Sequence, residues 1–69
     1  MNAPLTPREC QVLGLIAHGC TSKQAALRLG VSPHTVVSHI KNLYRKLGVH
    51  SAAAAVMRAV QLELLGRTQ

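Results

Sequence analysis

Only Gly30, Val31 and Ser32 separate two helix-compatible stretches of this chain, and no other feature constrains its fold as strongly. Glycine reaches the left-handed conformation that ends a helix, so Gly30 is a natural stop. Ser32 can accept a backbone N–H as an N-cap, and Pro33 suits the first helical position because its missing N–H would be unpaired there anyway. Two helices joined by so short a turn containing glycine cannot lie in line. The second must cross the first, in a helix-turn-helix pair.

The same punctuation divides the rest of the chain. Thr6, Pro7 and Glu9 form a capping box that opens a first helix, with Leu5 and Cys10 placed as a hydrophobic staple. Val12, Leu13, Ile16 and Ala17 then recur at helical spacing, and Gly19 ends the run. Thr21-Ser22-Lys23-Gln24 is a second capping box, and Ala25, Ala26 and Leu29 give the second helix a small apolar face. The third helix runs from Pro33 to Leu47, before Gly48, with Val36, Ile40, Leu43 and Leu47 as its inward stripe. A fourth starts after Ser51 and is expected to reach about Leu65, where Gly66 stops it. The expectation is therefore one all-α, four-helix domain over residues 5–65. Residues 1–4 and 66–69 are expected as its flexible ends.

Charge narrows the function. The 69 residues hold eight Lys and Arg but only two acids, Glu9 and Glu63, for a formal net charge of +6. A body this small and this basic attracts polyanions, and binds them in a salt-dependent way. Between Ser32 and Val49 there is no acid at all. With the apolar stripe of the third helix turned inward, His34, Val37, Ser38, Lys41 and Arg45 form the opposite face, and Thr35, His39, Asn42 and Lys46 lie on a flank. The major groove of duplex DNA, about 12 Å wide, admits such a helix. Lys41 can donate to guanine, Ser38 to several base edges, and Val37 can meet a thymine methyl. Thr35, His39 and Arg45 are better placed for phosphates, as is Lys23 near the start of the second helix. An exposed Val among these polar residues argues against a merely solvated face.

Several strings carry a family resemblance: Leu5-Thr6-Pro7-Arg8-Glu9; Val12-Leu13 with Leu15-Ile16-Ala17 and Gly19; Ser32 with Thr35-Val36 and His39; and Lys46-Leu47-Gly48-Val49. In this order and spacing they resemble the LuxR-type helix-turn-helix family, over nearly the whole chain. The resemblance implies a DNA-binding domain of bacterial transcription regulators, either a stand-alone regulator or the output domain of a response regulator or quorum-sensing activator. It places the motif at about residues 22–41. It implies base contacts from Val37, Ser38 and Lys41, backbone contacts from Lys23, Thr35 and His39, and a fourth helix that makes a homodimer on paired half-sites. RNA polymerase becomes a further partner. Two departures stand out. The family usually carries an Arg at the position of Ala52, where it would pair with the helix-one acid, so Glu9 is left its capping role alone. Val37 replaces a residue that is often polar, which shifts preference towards thymine.

The fourth helix has two apolar stripes. Ala52, Ala55, Val56, Ala59 and Leu62 suit a core, whereas Ala53, Met57, Val60 and Leu64 suit a partner surface. The alternative, one wide core face, is open on the residues alone. Metal binding and catalysis have little support. Cys10, His18 and Cys20 match no zinc spacing, and two acids build no catalytic site. Cys10 reads as a small buried hydrophobe and Cys20 as a turn residue. No catalytic residue, cofactor or metal is expected. No secretory signal precedes the domain and no apolar run is long enough for a span, so a cytoplasmic domain without membrane contact is expected. A protein-interaction bundle for an acidic partner is the competing reading.

Overall fold

The structure, a computed structural model, describes residues 5–62. Over that range the chain forms four helices: α1 (Pro7–Ala17), α2 (Ser22–Leu29), α3 (Pro33–Leu47) and α4 (Ala52–Gln61). Each start is fixed by a side chain that takes up an otherwise orphaned backbone donor. Thr6 Oγ1 accepts from the Glu9 N–H at 3.1 Å while Glu9 Oε1 accepts from the Thr6 N–H at 2.9 Å. Thr21 and Gln24 repeat this reciprocal pair at 3.1 and 2.8 Å. Ser32 Oγ and Ser51 Oγ cap α3 and α4 singly, each at 3.1 Å.

The turn between α2 and α3 is the one the sequence demands. Gly30 sits at φ 70°, ψ 33°, in the left-handed region where a Cβ costs about 1–2 kcal/mol. Its N–H donates to the Ala26 carbonyl, and the Val31 N–H reaches the same carbonyl at 3.1 Å. The chain then turns through Ser32 straight into α3.

Small residues let the helices close on one another. Val12 and Leu13 of α1, Ala25 and Ala26 of α2, Val36, Leu43 and Leu47 of α3, and Ala55 and Ala59 of α4 form a single buried core. Leu13, Leu43, Val12 and Val36 are its largest fully buried side chains, each stabilising the fold by about 1.5–3 kcal/mol. Ile40 and Leu29 pack on its edge. α3 is the central element and touches the other three helices; α4 closes the bundle against α1 and α3.

Four expectations are corrected. α4 ends at Gln61 with Leu62 as its C-cap, not near Leu65; Leu64, Leu65 and Gly66 lie outside the described residues. Ala52 is exposed rather than part of the buried stripe: it lies on the same face as Ala55 and Ala59 but at the first position of α4, beyond the end of the core. Ala17, the last residue of α1, is exposed as well. Cys10 is only half-buried, and it is Cys20, in the loop after α1, that packs on the core.

Candidate nucleic-acid interface

The inward stripe of α3 determines what its other side can present. With Val36, Leu43 and Leu47 buried, the helical period turns His34, Val37, Ser38, Lys41 and Arg45 outward, and all five are exposed. Val37 is 37% exposed, at the edge of this face next to Tyr44. Lys41 and Ser38 lie further round on the same face. Lys23 is exposed in the first turn of α2, on the other arm of the helix-turn-helix pair.

The flank is more engaged than its sequence suggests. Thr35 and His39 are half-buried. The Thr35 hydroxyl lies 2.9 Å from the Ser32 hydroxyl, so it is already part of the N-terminal cap of α3. Arg45 Nη2 donates to Asn42 Oδ1 at 3.1 Å, which orients the guanidinium along the helix. That pair is three residues apart in sequence and could have been read from helical spacing.

Lys46 holds the larger surprise. Its Nζ donates to Glu9 Oε1 at 2.8 Å, joining the last turn of α3 to the first turn of α1. Glu9 is 3% exposed. The expectation that Glu9 only caps α1 is therefore corrected: Lys46 supplies the cation that Ala52 does not. Burial alone would push the Glu9 carboxyl up, but the Lys46 ammonium and the Thr6 N–H outweigh it and hold the group below the ordinary glutamate range. His39 adds a weaker attraction in the same direction.

This pairing removes the one described acid from the described surface. Among the described residues Glu9 is the only acid, and it is buried and neutralised. The described surface thus carries cations with no exposed carboxylate against them. Such a field favours phosphates wherever they approach, while the outward α3 face adds a hydroxyl, an ammonium and a branched apolar group.

The second apolar stripe of α4 is uncovered. Ala53 is exposed, Met57 is 64% exposed and Val60 is 59% exposed, on one side of the helix; Leu64, expected to continue the stripe, lies outside the described residues. Elsewhere, a shallow cleft of about 450 Å³ lies between the loop after α1 and α2, lined by His18, Gly19, Cys20, Gln24, Leu27 and Arg28. His18 Nδ1 in that cleft hydrogen-bonds the Gly14 carbonyl at 2.8 Å. Among the described residues, no helix is long and apolar enough to cross a membrane.

The family model described as bacterial regulatory proteins, luxR family, matches residues 3–59, which is well over half of the chain.

Proposed function

The chain belongs to the luxR family of bacterial regulatory proteins, a family of helix-turn-helix domains that bind DNA in transcription regulation and are not enzymes, and from that premise we propose how this domain binds. α3 enters the major groove of duplex DNA. Val37, Ser38 and Lys41 read base edges, and Lys23, Thr35, His39 and Arg45 hold the phosphate backbone on either side. The observation that carries this reading is the outward face of α3: exposed, mixed in chemistry, and set in a surface whose one described acid is buried. Val37 favours a thymine methyl at its position.

Two copies bind together. Ala53, Met57 and Val60 form a self-complementary patch on α4, and a two-fold axis through it relates the two recognition helices. Half-sites about 10–10.5 base pairs apart, centre to centre, suit that geometry. A patch built from such small or medium side chains makes a weak interface, so pairing occurs on DNA rather than in dilute solution. The role is that of a cytoplasmic regulator or the output domain of a response regulator, acting on RNA polymerase at a promoter.

The test is a binding series on random-sequence duplex at rising salt. Log K should fall linearly with log salt, at about −0.9 per phosphate contact. Lys23→Ala should weaken binding to all duplexes alike and flatten the slope by about one contact. Affinity insensitive to salt would sink this reading and favour the protein-interaction bundle.

A further inference from the structure

The two capping boxes of this chain differ in one atom, and the difference is informative. In α2 the box is closed by Gln24, whose neutral Oε1 accepts from the Thr21 N–H at 2.8 Å. In α1 it is closed by Glu9 at 2.9 Å. An uncharged carboxamide therefore closes the box as tightly as a carboxylate does. Glu9 is nonetheless charged, and at 3% exposure that charge carries a desolvation cost. Capping alone does not require it.

The second ligand of the same oxygen supplies the use. Lys46 Nζ lies 2.8 Å from Glu9 Oε1, and the Lys46 side chain retains 26% exposure. On α3 the row Thr35, His39, Asn42, Lys46 runs at spacings of four, three and four, along one flank. Thr35 and His39 on that flank are the residues assigned to phosphates above. Lys46 is thus a cation at the end of a phosphate-facing row, drawn inward by an internal carboxylate.

We propose that Glu9 is a positioning residue for DNA binding: it withholds Lys46 from the phosphate backbone and so limits sequence-independent affinity. The inference rests on the DNA-binding reading of α3. A phosphate contact strengthens binding to every duplex and carries no sequence information, so a withheld one keeps the balance on Val37, Ser38 and Lys41. The same pair braces the last turn of α3 against α1 and keeps the helix axis fixed while its outer face reads bases.

Glu9→Gln is the direct test, because Gln24 shows that glutamine closes this kind of box in this chain. The probe is random-sequence duplex, titrated across a salt series, with helicity followed by circular dichroism. Released, Lys46 should add about one phosphate contact, so the slope steepens by about 0.9 and affinity near 0.1 M salt rises several-fold. A purely structural role would lower affinity without steepening the slope. The double variant Glu9→Gln with Lys46→Met should return the slope to its starting value. Lys46→Gln, which keeps a donor for the carboxylate, should leave the slope of the otherwise unaltered domain unchanged, and it decides the matter even if Glu9→Gln fails to fold. A slope flattened by Lys46→Gln, or left unsteepened in a folded Glu9→Gln variant, overturns the inference. Lys23→Ala separates the two levels. If it flattens the slope while Glu9→Gln changes nothing, the inference about Glu9 fails alone; if Lys23→Ala and salt both have no effect, the reading of α3 fails with it.

Discussion

Lys46→Met should destabilise the domain and change how its stability depends on pH. In the intact domain Glu9 Oε1 is held by the Lys46 ammonium at 2.8 Å and by the Thr6 N–H at 2.9 Å. Methionine fills similar space but leaves a carboxylate at 3% exposure with the Thr6 N–H as its remaining hydrogen-bond donor. Removing one partner of a fully buried ion pair costs about 3–5 kcal/mol. Lys46 is 26% exposed, so water screens part of the interaction, and the expected loss is about 1–3 kcal/mol. A domain of this size has a total stability of about 3.5–10 kcal/mol, so the shift is measurable by urea unfolding at pH 7. The sign with pH follows from the lowered Glu9 pKa. A carboxyl depressed in the folded state contributes stability above its unfolded pKa, near about 4.3, and loses it as pH falls through the folded value. Stability should therefore rise with pH across that window. Glu63 is the only other acidic side chain, so subtracting the curve of Glu9→Gln isolates the Glu9 contribution. In Lys46→Met that rise should vanish, because burial then opposes the Thr6 N–H with no ammonium to help it. An Lys46→Met domain with unchanged stability at pH 7 and the same acid profile would refute the assignment of Lys46 as the counter-ion.

Three further outcomes are expected. Lys41→Ala should cost about 1–3 kcal/mol on a site selected from random duplex and relax preference at one base pair; a uniform loss over all sequences would make Lys41 a phosphate contact instead. Met57→Asp should abolish cooperative binding to a double site while single-site binding persists, and since Met57 is 64% exposed the melting temperature should hold; an unfolded variant would return Met57 to the core. Thr6→Ala removes the acceptor of the Glu9 N–H and should destabilise by about 0.5–2 kcal/mol in thermal melts, whereas an unmoved melt would show that this cap adds nothing.

What could be read from the sequence was what depends on neighbours along the chain. Thr6, Thr21, Ser32 and Ser51 act within three residues of themselves, so the start of every helix was legible. The period of Val36, Ile40, Leu43 and Leu47 likewise gave the outward face of α3 without reference to any other helix. The end of α4 was not legible, because Leu62 and the leucines after it continue the apolar pattern whether or not the helix does. Ala52 was misplaced for a related reason. It shares a face with Ala55 and Ala59, and the helical period tells which face turns inward but not that the core stops short of the first position of the helix.

The Glu9–Lys46 pair was hidden in a different way. Its partners are 37 residues apart, and each has a sufficient local explanation: Glu9 closes a capping box, and Lys46 is one cation on a basic flank. Only the crossing of α1 and α3 brings them together. α3 in turn sits centrally against all three neighbours, packed on a core to which α2 and α4 contribute the small residues Ala25, Ala26, Ala55 and Ala59. The same packing that turns Val37, Ser38 and Lys41 outward thus turns Lys46 inward. The division of the basic residues of α3 between an outward face and an internal brace is a property of the bundle, and it follows from the helix geometry only once the position of α1 is known.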